Sequence, residues 1–257
     1  MDLSKSVAVV VASCDRYSDL WDPFFYLLWK YWPDSDLETY LVTNYGTFES
    51  SRVTSLPVGR DVTWSANLRG ALELVAEPYI LLLLEDLLLF RPIDSEQVAD
   101  ALRWLVRTEG HCLKLNPVPP PDRSWDETAG LASPGVPYRV STVATVWRRR
   151  TLIELLDPNE NAWEFEIEGS ARSAEYPGFY ACHRPHFQVT NAVVCGKWRR
   201  SALRAALSAG APVGTADRPV MNTLESAAYG LALLRYRILQ SMPPRLRSPM
   251  RALWRDS

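Results

Sequence analysis

The 257-residue chain lacks the features that mark several special classes of protein. No apolar stretch approaches the roughly 20 residues that span a bilayer, so no membrane-spanning helix is expected. The first residues, MDLSKSVAVVVASCDRY, have neither the basic start nor the long apolar core of a signal peptide, which predicts a cytoplasmic protein. A formal net charge of −2 at pH 7 gives no polyanion-binding signature, so we expect no nucleic acid among its partners.

Paired cysteines are lacking too. The four cysteines are scattered without the spacing of a disulfide framework, which predicts reduced thiols at Cys14, Cys112, Cys182 and Cys195. The CHRPH segment at residues 182–186 could hold zinc together with Cys195. The sequence argues against this site, because it contains no second ligand pair with the usual spacing.

What is present is an ordinary globular composition, with 47% hydrophobic and 23% charged residues. We expect one α/β domain over residues 1–220, followed by a basic helical tail over residues 221–257. In that tail, arginines alternate with leucine, methionine and tryptophan, which is the composition of an interfacial membrane anchor. A solvated tail is the alternative.

The central feature of the sequence is residues 79–91, YILLLLEDLLLFR, an apolar run interrupted by Glu85 and Asp86. Residues 80–84 do not alternate, which predicts a strand buried on both faces of a mostly parallel sheet. Because burying an unpaired carboxylate is costly, two in a row require a cation, hydrogen-bond donors or open water at the end of that strand. Ligands bind at this end in open α/β sheets. A single amphipathic helix is the alternative, but Pro78 and Pro92 bracket a run that is short for a helix.

The remaining segments alternate between strand and helix patterns. Strands are predicted at residues 7–12, 39–43, 53–58, 138–147 and 191–198. Helices are predicted at residues 20–32, 65–76, 94–109, 201–210 and 224–240, the second capped by Ser65. The proline-rich segment 116–137 is expected to lack regular structure. This order predicts a Rossmann-like, mostly parallel sheet covered by helices.

A second acidic cluster lies in residues 157–169, DPNENAWEFEIEG. On a helix Glu160 and Glu164 share a face, and on a strand Glu164 and Glu166 share one, so carboxylates crowd in either case. Trp163 and Phe165 between them indicate a partly buried site. A solvated acidic face is the alternative.

Three stretches resemble bacterial nucleotide-sugar-dependent glycosyltransferases of the GT-A fold, the kind that build capsular or surface polysaccharides. VVVASCDRY resembles the nucleotide-binding start of that fold. WSANLRGALELVAEPYILLLLED is similar to the family's helix with an early Asn, followed by the strand that ends in its acidic motif. NENAWEFE lies where such enzymes often place an acidic catalytic residue beside an aromatic acceptor platform.

The resemblance implies transfer of a sugar from a nucleotide-diphosphate sugar to a saccharide or lipid-linked saccharide, with inversion. The implied donor-binding residues are Ser13, Asp15, Arg16, Asp61, Asn67, Glu85 and Asp86. Asp15 and Asp61 are candidates for nucleobase or ribose contacts, with loop capping as the alternative. The acceptor would rest on Trp163 and Arg139. Among the candidates for the general base we rank Glu166 and Glu164 together, ahead of Glu160, because partial burial suits a base.

A Mg²⁺ or Mn²⁺ ion at Asp86 and Glu85 would stabilise the leaving diphosphate. The family's acidic motif carries aspartates two apart or in a run, whereas here Leu87 and Leu88 follow the acidic pair. Either Asp86 alone holds the metal, or arginines neutralise the diphosphate without one.

Two other functions remain open. A nucleotidyltransferase would have a similar sheet, but normally has a glycine-rich phosphate loop after the first strand, and SCDRY contains no glycine. The second of these functions is that of a non-catalytic subunit of a polysaccharide assembly complex, which would bind sugar or nucleotide. An enzyme with the basic tail would work in the cytoplasm, at the inner face of the membrane.

Overall fold

The structure is a computed structural model that describes residues 3–214 and 218–241. Its strands are β1 (Val7–Ala12), β2 (Thr39–Thr43), β3 (Thr54–Pro57), β4 (Tyr79–Leu84), β5 (Leu87–Leu89), β6 (Cys112–Lys114), β7 (Arg123–Ser124), β8 (Ala129–Leu131), β9 (Thr145–Arg148), β10 (Phe179–Cys182), β11 (Val189–Asn191), β12 (Val193–Val194) and β13 (Lys197–Trp198). Its α-helices are α1 (Trp21–Tyr31), α2 (Trp64–Leu74), α3 (Ser95–Arg107), α4 (Arg149–Leu155), α5 (Ala162–Arg172), α6 (Arg200–Ser208) and α7 (Thr223–Ser241).

Nine of these strands form one mixed sheet in the order β3-β2-β1-β4-β9-β6-β10-β8-β7. The first four are parallel, β9 runs antiparallel between β4 and β6, and β10 is parallel to β6. β8 and β7 add an antiparallel edge. The predicted α/β class is confirmed, and the carboxyl ends of β1 to β4 meet at one edge of the sheet.

Strands β1 and β4 form the centre of this sheet. Their six-residue register runs from Val7 opposite Tyr79 to Ala12 opposite Leu84. Alternate residues enter two hydrophobic clusters, one on each face, and α1 and α3 cover the first while α2, α4 and α5 cover the second. Burial on both faces explains why these runs show no polar alternation. Residues 79–84 are therefore a strand and not a helix.

Three expectations about local structure were wrong. The N-cap of α2 is Thr63, whose Oγ1 accepts from Ala66 N at 3.0 Å, while Ser65 is buried in the first turn. Residues 116–137 contain β7 and β8, which pair where the backbone is free of proline and can complete an edge ladder. The strand expected over residues 138–147 begins only at Thr145, because Ala144 has a positive φ of 43°.

The last expected strand, over residues 191–198, divides into three short pieces. β11 pairs with β5, and β12 forms a hairpin with β13. Cys195 and Gly196 turn the hairpin with φ of 48° and 74°, a conformation that glycine adopts readily. This arrangement brings the chain after β10 back against the segment that follows Glu85 and Asp86.

Helix α7 confirms the helix predicted over residues 224–240. Lys197 pairs with Glu225, and the Arg199 guanidinium lies 4.9 Å from the centre of the Tyr229 ring, so the start of α7 is fastened to the hairpin. Leucines on α7 are strongly exposed, with exposed fractions of 81%, 52% and 54% at Leu224, Leu231 and Leu234. The rest of the predicted basic tail, residues 242–257, lies outside the described residues.

Candidate functional site

Glu85 and Asp86 form the turn between β4 and β5, and the Asp86 carbonyl accepts from Ala192 N at 2.7 Å. Burial raises the pKa of Glu85 well above its usual range, and the neighbouring Asp86 adds to this rise. Burial also raises the pKa of Asp86, to about 6. A hydrogen bond from Ser13 and the charge of Arg218 oppose the rise at Glu85. The ionised pair is thus costly in this position, as the sequence predicted for adjacent buried acids.

Arg218 is a residue of this site that sequence reasoning missed. Its Nε and Nη2 atoms donate to the Asp19 carboxylate at 2.9 and 2.7 Å, and its guanidinium lies 4.4 Å from the centre of the Tyr17 ring. Its charge also opposes the rise in the pKa of Asp86. No motif marked Arg218, because its partners lie about two hundred residues earlier and only the fold brings them together.

The loop after β1 begins the floor of the site. Ser13 Oγ accepts from Trp21 Nε1 at 2.8 Å and also bonds Glu85. Burial raises the pKa of the Cys14 thiol, with nearby Glu85 and Asp61 as further causes. Residues Asp15–Leu20 form a 3-10 turn that carries the exposed Arg16 side chain. Ser13 and Cys14 therefore lie beside the acidic pair.

Asp15 fastens this loop to the one after β2. Its carboxylate accepts from the backbone N–H groups of Asn44, Tyr45 and Gly46 at 2.9, 2.9 and 3.1 Å. In return, Asp15 N donates to Asn44 Oδ1 at 3.1 Å. These bonds match the loop-capping alternative for Asp15, so any contact to a nucleotide would be made by the loop it holds.

Asp61 and Asn67 continue the same edge beyond β3. Asn67 Nδ2 donates to Asp61 Oδ1 at 2.7 Å, while Val62 N donates to Asn67 Oδ1 at 3.4 Å. Asn44 Nδ2 donates to Gly59 O at 3.1 Å and links this loop to the one after β2. The structure thus brings the seven residues expected at the donor site to one sheet edge, which are Ser13, Asp15, Arg16, Asp61, Asn67, Glu85 and Asp86.

The three candidate bases lie in different environments. Glu160 accepts two hydrogen bonds of 2.6 Å from Arg172. Glu164 is exposed and completes a capping box with Asn161, accepting from its backbone N at 2.9 Å. Glu166 Oε1 accepts from Thr142 N at 2.7 Å and Oγ1 at 3.0 Å. Glu160 is therefore paired with the last residue of α5, and Glu164 with the residue that caps its start.

Glu166 lies at the same sheet edge as the acidic pair. Leu82 pairs with Thr145 in the antiparallel β4–β9 register, so the residues just before β9, Thr142 among them, lie at the sheet edge where β4 ends. Burial raises the pKa of Glu166, while Thr142, Ser141 and the charge of Lys114 oppose the rise. The raised pKa agrees in direction with the partial burial expected for this residue.

Trp163 and Arg139, the expected acceptor contacts, differ strongly. The Trp163 side chain is 64% exposed on α5 and can present an apolar face to a ligand. Arg139 is 2% exposed, and its guanidinium donates to the carbonyls of Ala132, Ser173 and Tyr176. This burial gives Arg139 a structural role, fastening the loop before β9 to the end of α5, and does not support acceptor binding.

The described residues fit a divalent cation only in part. They contain no cluster of three or more histidine, cysteine, aspartate or glutamate side chains that could hold a metal. Mg²⁺, however, commonly takes one or two carboxylates and completes its shell with water and substrate phosphates. The raised pKa values of Glu85 and Asp86 show that ionising these acids is costly, and a bound cation would favour their ionised forms. The acidic pair therefore fits a metal that arrives with a phosphate ligand.

The sheet order and the acids at the end of β4 define a Rossmann-like α/β protein. No family model matches the chain, and no curated protein matches it. Among solved structures it is similar to S. aureus TarS residues 1–349 in complex with UDP-GlcNAc, at 14% identity and a TM-score of 0.45, covering 68% of this chain and 58% of that one. It is thus matched over less than two thirds of the length of that TarS chain.

Two further structures are similar. Mannosyltransferase PcManGT from Pyrobaculum calidifontis, in complex with GDP-Man and Mn²⁺, has 15% identity and a TM-score of 0.48, covering 74% of this chain and 58% of that one. UTP-bound UGPase from Acinetobacter baumannii has 12% identity and a TM-score of 0.49, covering 90% and 98%. TarS and PcManGT hold bound nucleotide sugars in these structures. At these identities and TM-scores, no activity is carried over from them to this chain.

The pKa of Asp86 leads to a stability prediction. Because it rises from 3.8 to about 6 on folding, ionising Asp86 costs stability, and the free energy of unfolding falls as pH rises through this window. We expect Asp86→Asn to be more stable than the wild type at pH 8, on the order of 1–3 kcal/mol, since one pKa unit corresponds to about 1.4 kcal/mol. The gain should shrink at pH 5. Urea unfolding at the two pH values measures it.

Asp100→Asn is the matched control, because Asp100 is exposed on α3 and pairs only with Arg103 across one helical turn. It should change stability little at either pH. Lower stability of Asp86→Asn than of the wild type at pH 8 would contradict the burial cost assigned to Asp86.

Proposed function

We propose that this chain is a glycosyltransferase that moves a sugar from a nucleotide-diphosphate sugar to a saccharide or lipid-linked saccharide in bacterial surface polysaccharide synthesis. The observation that carries the proposal is the pair of buried Glu85 and half-buried Asp86 at the carboxyl end of β4, surrounded by the polar loops that follow β1, β2 and β3. A phosphate-bearing ligand that brings a cation suits this acidic pair better than a neutral ligand does.

The donor site must stabilise the diphosphate as it leaves. Asp86, with Glu85 behind it, would hold a Mg²⁺ or Mn²⁺ ion, and that ion would supply positive charge to the phosphate oxygens. Asp61 has one carboxylate oxygen on Asn67 and is exposed, so it can also accept a hydrogen bond from a ribose hydroxyl. Asp15 would act through the loop that it holds.

The acceptor side must remove a proton from the attacking hydroxyl. We assign this task to Glu166, because Glu160 is paired with Arg172 and Glu164 caps α5. The burial that raises the pKa of Glu166 moves it toward the range in which a carboxylate is an effective base. Trp163, exposed one turn earlier on α5, would carry the acceptor ring. In-line attack with this base gives inversion.

The loop after β1 favours sugar transfer over nucleotidyl transfer. A nucleotidyltransferase normally wraps phosphates with a glycine-rich loop and a basic residue. Here the loop has no glycine, and Asp15 and Ser13 fasten it by side-chain bonds to the next loop and to Trp21. An enzyme of this second type would release pyrophosphate from a nucleoside triphosphate and a sugar phosphate, and a direct assay separates the two reactions.

The first experiment screens nucleotide-diphosphate sugars with Mn²⁺ for transfer to saccharide acceptors and for slow donor hydrolysis. We expect turnover by the wild type and almost none by Asp86→Asn, because the amide has the size of the carboxylate but cannot neutralise a cation. Asp100→Asn should retain wild-type turnover. Near-normal transfer by Asp86→Asn would remove the donor-site assignment, and pyrophosphate release without sugar transfer would favour the nucleotidyltransferase.

The second experiment compares three carboxamide variants at saturating donor and acceptor. Glu166→Gln should lower kcat by about 10²–10⁴-fold, the usual cost of losing a general base, while still binding donor. Glu164→Gln and Glu160→Gln should stay within a few-fold of the wild type in kcat. Melting curves show whether each variant folds. If all three keep their activity, the base lies elsewhere and these carboxylates have structural roles only.

The C-terminal tail is proposed to hold the enzyme at the cytoplasmic face of an anionic membrane. Among the described residues, no helix combines the length and the apolarity needed to cross a bilayer. α7 exposes Leu224, Leu231 and Leu234, and the arginines of residues 242–257 follow it in the sequence. Exposed leucines beside basic residues suit the interface between lipid headgroups and acyl chains.

Removing residues 241–257 should therefore weaken binding to anionic vesicles, since about 1 kcal/mol is available for each basic residue near such a surface. Transfer to a soluble acceptor analogue should survive. Vesicle flotation at low salt, with neutral vesicles as the control, measures the difference. Equal partitioning of the full-length and shortened chains would overturn the membrane assignment.

A further inference from the structure

Arg218 lies in a connecting segment, yet its side chain is buried and its guanidinium has several hydrogen-bond partners. It is 7% exposed, and its fork binds both oxygens of Asp19 at 2.7 and 2.9 Å. The guanidinium lies over Tyr17 at 4.4 Å and directs weaker bonds to the carbonyls of Arg16 and Gly196 at 3.5 and 3.4 Å. A planar guanidinium with a carboxylate on one edge and a ring on its face is pre-organised.

The partners of Arg218 belong to the loop that forms the floor of the donor site. Tyr17 and Asp19 lie in the same 3-10 turn as Asp15, directly after Ser13 and Cys14. Ala12 pairs with Leu84 in the parallel register of β1 and β4, so the loop that begins at Ser13 leaves the sheet beside Glu85 and Asp86. Arg218, from the far end of the chain, is therefore bonded to a turn that lies next to the acidic pair.

The segment that carries Arg218 is itself anchored beside the site. Trp198 N donates to Pro219 O at 2.8 Å, and Met221 N donates to Trp198 O at 2.9 Å. Ala192, on the chain that leads to Trp198, donates to the Asp86 carbonyl. Backbone hydrogen bonds thus connect Asp86 to the hairpin of β12 and β13, and that hairpin to the segment of Arg218.

We propose that Arg218 is a positioning residue of the donor site: it holds Tyr17 and Asp19 in the 3-10 turn that follows Ser13 and Cys14, so that this turn keeps its place beside the acidic pair. This inference rests on the proposed function and deepens it. Most donors of Arg218 are already used on the protein, which is why it positions the site and does not itself bind the donor.

The test measures binding of uridine diphosphate and guanosine diphosphate, each with Mn²⁺, by calorimetry on full-length protein. Arg218→Ala should bind the nucleotide that the wild type prefers about 10- to 100-fold more weakly, the range expected when hydrogen bonds to a charged group are lost. Millimolar ethylguanidinium should restore part of the affinity by refilling the space over Tyr17 beside Asp19. A residue that only stabilises the fold would give no such rescue of binding.

Two further variants keep the test decisive. Arg103→Ala removes an exposed arginine from its pair with Asp100, and ethylguanidinium should not change its nucleotide affinity. If Arg218→Ala does not fold, Arg218→Lys keeps the charge but loses the two-pronged bond to Asp19, and it should bind nucleotide more weakly while remaining folded. Asp19→Asn should weaken binding as Arg218→Lys does, and combining the two should add little.

The outcomes separate this inference from the proposed function. A wild-type protein that binds neither nucleotide overturns the proposed function, and this inference with it. A wild type that binds, together with folded Arg218 variants that bind equally well, overturns the positioning role alone. Weaker binding that ethylguanidinium restores in Arg218→Ala and not in Arg103→Ala supports the role.

Discussion

Two adjacent carboxylates at the end of β4, one buried at Glu85 and one half-buried at Asp86, impose the constraint on which the rest of the site depends. Burial raises the pKa of Glu85 and of Asp86, so the folded protein pays for their charge unless a cation lies close by. Arg218 offsets part of this cost, but its guanidinium is shared with Asp19. Ionising both acids at the carboxyl end of the central strand therefore requires further positive charge, which a metal that arrives with a phosphate ligand would supply.

The loops around the acidic pair are rigid because they bind one another. Asp15 holds three amides of the loop after β2, Asn44 reaches the carbonyl of Gly59, and Asn67 holds Asp61. Such cross-bonds fix loops that have little regular structure of their own. A site built this way can hold a ligand without much rearrangement, which lowers the entropy lost on binding.

Individual residues show how far sequence reasoning reached into the site. The run YILLLLED predicted both the buried strand and the polar turn, because an apolar run without alternation that stops at two acids has few other solutions. Arg139 was misjudged, since an arginine just after a proline-rich stretch gives no sign that its guanidinium will bind carbonyls of residues more than thirty positions later. The sequence did not distinguish Glu160, Glu164 and Glu166. In the structure each of them has a different hydrogen-bond partner.

By itself, the sequence determined the buried strands β1 and β4, the helices α1 to α3, and the position of the acids at the end of a strand. These follow from local periodicity, which is written in neighbouring residues. Only the tertiary structure decided the pairing of the strands, that Arg218 meets Tyr17 and Asp19, that Asp15 holds a loop, and that Glu166 bonds Thr142 beside β9. Contacts of this kind join residues far apart in the chain, and they depend on the sheet register and the return of the C-terminal segment, which local patterns do not contain.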